Sequence, residues 1–245
     1  MYVIIILSIF VEETFMKHEI LACALSLLVL CAGLVTLFLG AFYKLKFTKA
    51  LVFKGLSSLC FIALGVICFV IGDHSLPKIL ILTGLCLGII GDEILALCQI
   101  YPTHDSVHFI GGGVFFIIGH LFYMTAMIIS GSISWIALVI AYAIILTLSF
   151  LYESKNKFYI GDMRISLRLY MCVVVLFAAF GVAFFVGKPS LGRLFVALGG
   201  LLFAVSDNIL FAYKLHDNTR FDRNIALHVA YYLAQMLIAC SIALI

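Results

Sequence analysis

The sequence predicts an all-α polytopic membrane bundle of about eight transmembrane helices, arranged as a 4+4 parallel internal repeat. Three observations predict it. Hydrophobic residues make up 65% of the 245 positions and charged residues 11%, where a soluble domain carries about 25% charged residues. The apolar stretches approach the roughly 20 residues that a helix needs to cross a bilayer, and they are near-continuous rather than alternating, as helices are and barrel strands are not. Two aspartates lie inside such stretches in nearly the same phrase, Gly91-Asp92-Glu93-Ile94-Leu95 and Ser206-Asp207-Asn208-Ile209-Leu210, 115 positions apart.

The elements follow in order. Val3 to Val11 is apolar but too short to span, and no basic residue precedes it, so it makes a poor signal peptide. Met16-Lys17-His18 reads as a natural start, which leaves residues 1–16 as a stub before a single eight-helix domain over 17–245. The spans fall at 20–43, 50–72, 78–98, 109–130, 133–152, 166–187, 191–213 and 224–245. Short polar breaks separate them: Lys44–Lys49, Asp73–Pro77, Tyr101–Asp105, Gly131–Ser134, Glu153–Arg164, Gly187–Ser190 and Lys214–Arg223. The breaks after the odd-numbered spans, with the adjoining helix ends, hold eleven of the fifteen Lys and Arg residues. The positive-inside rule then puts those breaks in the cytoplasm of a cell, with both termini outside and the plasma membrane as the expected location. The net charge of +3 and the lack of a basic tract exclude a nucleic-acid partner. All eight cysteines lie in or at the ends of apolar runs without a CxxC, so they read as packing residues.

The repeat extends beyond the two acidic phrases. Gly84 matches Gly199, Leu87 matches Leu202, and the 28-residue step from Asp92 to His120 recurs from Asp207 to Gln235. Spans 3 and 7 run in the same direction, so the two halves are related by an axis along the membrane normal. Glycines at 84, 88, 91, 111, 112, 113, 119, 199 and 200 let spans 3, 4 and 7 approach closely, and with span 8 these form the expected core.

A carboxylate at membrane depth costs roughly 2.5–3.5 kcal/mol on insertion scales, so it faces a protein interior or a wet cavity and acts there. Counted along the helices, Asp92 and Asp207 share one depth with Lys54, His120, Tyr123, Tyr231, Tyr232 and Gln235. Tyr231 and Gln235 share a helix face, as do His120 and Tyr123. Each residue also has a structural reading: His120 as a satisfied core histidine, the tyrosines as packing aromatics, Gln235 as interhelical glue, Lys54 as a cation snorkelling to lipid phosphate. His104 and His108 have metal-ligand spacing but lack a third ligand. Neither a metal nor a cofactor is expected. A transporter that uses the acids to relay protons is the alternative from a different class.

These phrases resemble the YhhN-like membrane proteins, the lysoplasmalogenase family. The resemblance rests on Gly91-Asp92, Gly119-His120-Leu121-Phe122-Tyr123, Gly200 to Asp207, and Tyr231-Tyr232-Leu233-Ala234-Gln235. It departs where the family's Lys-Pro appears here as Lys54-Gly55, and Glu93 has no place in the pattern. The resemblance implies hydrolysis of the vinyl ether bond of a lysophospholipid, giving a fatty aldehyde and a glycerophospho-ethanolamine or -choline. Such cleavage passes through an oxocarbenium ion, as glycoside hydrolysis does with one carboxyl as acid and another as base or stabiliser. Asp92 and Asp207 are the expected catalytic pair. His120, Tyr123, Tyr231, Tyr232, Gln235 and Asn208 are expected to position substrate or water, and Lys54 to favour the phosphate head group.

Overall fold

Apolar runs ended by Gly, Pro and charge give helices where lipid demands that every backbone group be paired within its own segment. In the computed structural model the backbone is described for residues 2–156, 164–214 and 221–245, and side chains for 21–155, 166–212 and 223–245. The helices are α1 (Tyr2–Tyr43), α2 (Phe47–Ile71), α3 (Leu76–Ile100), α4 (Asp105–Ser130), α5 (Trp135–Asn156), α6 (Arg164–Gly187), α7 (Leu191–Lys214) and α8 (Phe221–Ser241). All eight contain a segment long and apolar enough to cross a membrane, with α1 contributing Leu21–Tyr43. This is a multi-pass membrane protein. Lys157 and Arg220, two of the expected loop cations, lie outside the described residues.

Boundaries follow local chemistry. Pro77 sits in the first turn of α3, where its missing N–H costs nothing. A 3-10 turn at Pro102–His104 leads into α4, which starts at Asp105 rather than near 109. Gly131 ends α4 at φ 72°, a left-handed conformation that glycine adopts without a Cβ clash. Helix α8 stops at Ser241, short of the expected 245, and a turn follows.

The packing has the predicted twofold logic. Within each half, consecutive helices pack on one another, α1 on α2 on α3 on α4 and α5 on α6 on α7 on α8. The halves join through matching seams, α4 on α6 and α8 on α2. Close approaches repeat as well. A Cβ on Gly84 would overlap the Tyr123 ring and lie 3.0 Å from the Gly119 carbonyl. A Cβ on Gly199, 115 residues on, would lie 2.7 Å from Ile238 Cγ1 and 3.1 Å from the Ala234 carbonyl. Each of those partners is also shifted by 115. In α2 and α6 the shift becomes 116. It pairs Gly65, whose Cβ would meet Leu85 and Leu82, with Gly181, whose Cβ would meet Ala197.

The expected core of α3, α4, α7 and α8 is incomplete. Helix α6 is buried along most of Val174–Phe184, and α2 buries Ser57, Ser58, Phe61 and Leu64. Small residues (Ala178, Ala179, Gly181, Ala183) let α6 into the interior, and α1 and α5 are left at the periphery. At the face away from the site, Lys78 and Arg193, again 115 apart, are both buried. Lys78 pairs with Asp73 in the α2–α3 break, and this contact holds the Asp73 carboxyl down to about 2. Arg193 instead donates to the carbonyls of Phe184 (3.0 Å), Gly131 (3.2 Å) and Ser132 (3.3 Å), with its guanidinium 3.9 Å over the Phe184 ring.

Candidate active site

Asp92 lies eight residues before the end of α3, and Asp207 seven before the end of α7. At 1.5 Å per residue both sit about 10–12 Å below the face where the odd-numbered helices end, the basic face. They line one cavity of about 100 Å³, into which Lys54 and Tyr231 also project. Two carboxyls from pseudo-equivalent helices therefore meet at one site. Both are buried, at 3% and 4% exposure.

Their surroundings differ. Lys54 on α2 places its ammonium 3.0 Å from Asp92 Oδ1 and donates a second bond of 2.8 Å to the Asp92 backbone carbonyl. Ser58, one turn on, donates to Asp92 Oδ2 at 2.7 Å. The Tyr232 hydroxyl lies 3.4 Å from Ser58 Oγ and donates to the Lys54 carbonyl at 3.3 Å, which braces this pair from behind. Asp207 has instead the Tyr170 hydroxyl of α6, donating to Oδ2 at 2.7 Å. Among the described residues no cation lies within ion-pair distance of Asp207. The 116-residue shift that pairs Gly65 with Gly181 also pairs Lys54 with Tyr170. The two acids are thus held from the same place by a cation and by a phenol.

Of the other expected site residues, some join the acids and some do not. Tyr231 lines the cavity, and its hydroxyl accepts from Gln235 Nε2 at 3.1 Å. Gln235 Oε1 accepts from Tyr123 at 3.2 Å, so Tyr123 and Gln235 form a separate polar bridge deeper in the membrane. His120 is hydrogen-bonded to neither acid and does not line the cavity. Phe116 and Tyr231 line the cavity and pack against Phe203, with the three rings 5.5–6.1 Å apart, and His120 lies against Phe203. Its ring stacks on Phe177 at 4.8 Å and meets Phe203 edge-on at 4.5 Å, with neither nitrogen hydrogen-bonded. Asn208 turns about 100° from Asp207 around α7 and donates to Ser149 of α5 at 3.1 Å and to the Ala204 carbonyl at 2.8 Å. Lys54 is buried and spends its donors on Asp92, so it does not snorkel to the interface.

The structure also brings in residues that sequence reasoning missed. Tyr170 was legible only by carrying the repeat into α2 and α6. Ser58 carries no sequence signal beyond being polar in a membrane helix. Asn224 and His228 line the cavity toward the basic face. They continue the face of Tyr231 and Gln235 at helical spacing, which was a usable signal. His228 Nδ1 lies 2.8 Å from the Asn224 carbonyl, and Asn224 Nδ2 donates to Tyr43 of α1 at 3.0 Å.

The model of the YhhN family matches residues 49–242, which takes in the acid-bearing helices and every partner of the two carboxyls described above. No curated protein and no solved structure shows a significant match to the chain.

Proposed function

The chain belongs to the YhhN family, and we propose that it is an intramembrane lysoplasmalogenase, a hydrolase of the vinyl ether bond of single-chain plasmalogens. The observation that carries this reading is the unequal pair, one ion-paired and one phenol-bonded carboxyl lining a single cavity. Two carboxyls whose environments differ can divide acid and base roles between them. The Lys54 ammonium suits Asp92 to the ionised role. Asp207, with Tyr170 on Oδ2, is left to carry the proton on Oδ1.

The steps balance without a cofactor. Asp207 gives its proton to the vinyl carbon remote from the ether oxygen, and the positive charge appears on the carbon bonded to that oxygen. The Asp92 carboxylate stabilises this cation, then takes a proton from the water that adds to it. The resulting hemiacetal collapses: the carbon–oxygen bond to glycerol breaks as protonated Asp92 gives its proton to the glycerol oxygen, the hemiacetal hydroxyl passes its proton to the Asp207 carboxylate, a fatty aldehyde leaves, and both acids return to their starting states. Tyr231 borders the reacting bond, and Asn224 and His228 offer polar contacts to the glycerophospho group. With the basic face cytoplasmic, as its Lys and Arg content suggests, the head group is drawn from the inner leaflet of the plasma membrane and both termini lie outside.

The test is aldehyde release from a lysoplasmalogen by the purified protein in detergent. Asp92→Asn and Asp207→Asn each remove one partner of the proton transfer and should lower turnover by about 10²–10⁴-fold. Both variants should keep the size-exclusion profile of the parent. Near-parental turnover in either variant defeats the paired-acid mechanism. A transporter releases no aldehyde at all.

A further inference from the structure

The carboxylate cavity has a neighbour. A cleft of about 250 Å³ lies along the α4–α6 seam, and its rim residues Ile110, Val114 and Leu169 are 43%, 46% and 62% exposed on the membrane-facing surface. Leu95, Phe109, Phe116 and Leu210 line both spaces, so the partition between them is one side chain thick. The Tyr170 ring forms part of the cleft while its hydroxyl is bonded to Asp207. Gly113 widens the cleft, since a Cβ there would meet only the Tyr170 ring, at 3.5 Å.

The matching seam, α2–α8, is covered by a third helix. Helix α1 lies across it, with Phe38 packed 4.8 Å from the His228 ring and Tyr43 bonded to Asn224. The counterpart of α1 is α5, and among the described residues no Cα of α5 comes within 8 Å of one in α4. It leans instead toward α7, where Ser149 meets Asn208. One of two equivalent seams has thus lost its cover, and it is the one that leads to Asp207.

We infer that the α4–α6 seam is the slot that receives the hydrocarbon chain of the lipid substrate from the bilayer, while the carboxylate cavity takes its polar end. The lining offers water almost no partners, so hydrocarbon is the phase that fills it. A lipid lying with its chain in the seam and its glycerol in the cavity has the chain-to-glycerol linkage at the partition, beside Asp207. Rotation of the partition side chains joins the two spaces. The identity of this lipid rests on the hydrolase reading.

The experiment has two arms. In the first, the purified protein in nanodiscs is photolysed with a saturated alkyl-ether lysophospholipid that carries a diazirine in its chain. Labelling of α4 around Ile110 and Val114 and of α6 around Leu169, competed away by unlabelled lysophospholipid, is the expected result. Labelling there that resembles the uncompeted labelling of the exposed α5 residues Ile136 and Val139 overturns the slot. In the second arm, Val114→Trp fills the seam, and Val139→Trp adds the same bulk to the outer face of α5. The ratio of kcat/KM for long-chain over short-chain lysoplasmalogen should fall about tenfold in Val114→Trp and hold in Val139→Trp. An unchanged ratio in Val114→Trp also overturns the slot. If the parent protein releases no aldehyde, the hydrolase reading fails alone, and the photolabelling still decides the slot.

Discussion

Helices α1–α4 and α5–α8 place an aspartate at the same position and hold it by different chemistry. In the first half an ammonium and a serine hydroxyl hold Asp92. In the second a phenol holds Asp207. The backbone shift of 115 to 116 residues carries helix direction, depth and close approach from one half to the other. What it does not carry is the side chain at each matched position. Lys54 corresponds to Tyr170, His120 to Gln235, and Phe109 and Gly113 of α4 to Asn224 and His228 of α8. The repeat supplies a shared geometry, and the substitutions within it supply the inequality that the proposed acid–base mechanism needs. Two identical carboxyl environments would give two groups competing for one role.

The sharpest way to break this comparison is to make the halves alike. Tyr170→Lys puts a second ammonium beside Asp207, where Lys54 stands beside Asp92, and removes the difference between the two acids. Aldehyde release should drop by about 10²–10⁴-fold, the size of a lost general acid. Tyr170→Phe only removes a hydrogen bond and should cost about 1–3 kcal/mol, a milder loss. Lys54→Met strands the Asp92 carboxylate without its cation, at about 3–5 kcal/mol of stability. That cost is read as a lower unfolding midpoint in detergent. Full activity in Tyr170→Lys would show that the inequality of the two acids is not what the reaction uses.

Much of this was legible before any coordinates. Apolar length fixed the eight spans, and the paired aspartate phrases exposed the relation of α3 to α7 and of α4 to α8. Depth was also readable, because rise per residue is constant along a helix. Facing was not. Asn208 adjoins Asp207 in sequence, but one residue of helical rotation turns it to α5. His120 keeps the depth and spacing of a site residue, yet it packs on Phe203, which in turn packs on the cavity-lining rings of Phe116 and Tyr231. The repeat in α2 and α6 is hard to read in the sequence because Lys54 and Tyr170 share no chemistry and the shift changes by one residue. The burial of α6 had only one signal, its small residues Ala178, Ala179, Gly181 and Ala183, because an apolar stretch in lipid has no polar stripe to say which way it faces.

The pair His120 and Gln235 sharpens the comparison at a smaller scale. Gln235 is bonded at both ends, to Tyr231 and to Tyr123. Gln235→Leu leaves two buried hydroxyls without their partner and should cost about 1–3 kcal/mol. His120 has no hydrogen bond to lose and is surrounded by aromatic rings. An apolar ring of similar shape removes an unpaired polar group, so His120→Phe should leave the unfolding midpoint unchanged or raise it, with aldehyde release retained. A loss of turnover in His120→Phe at unchanged stability would return this histidine to the catalytic machinery.

The smallest expected effect lies at the far face, between Lys78 and Arg193. Lys78 is neutralised by a carboxylate, Asp73, and Arg193 is satisfied by three carbonyls. Only the first arrangement titrates. Asp73 is exposed and held down to about 2 by Lys78, below the ordinary aspartate value of about 3.9. Its contribution to stability is therefore fully present above about pH 4 and fades as pH falls through about 2. Exposure of the carboxylate to solvent keeps that contribution small. Asp73→Asn should lower Tm slightly at pH 6, and the gap to the parent should close as pH approaches 2. Arg193→Gln should leave a deficit that does not change over the same range, because carbonyls take up no proton there. A gap in Asp73→Asn that persists at pH 2, or one in Arg193→Gln that closes, would mean that the two buried cations are not held as differently as their contacts indicate.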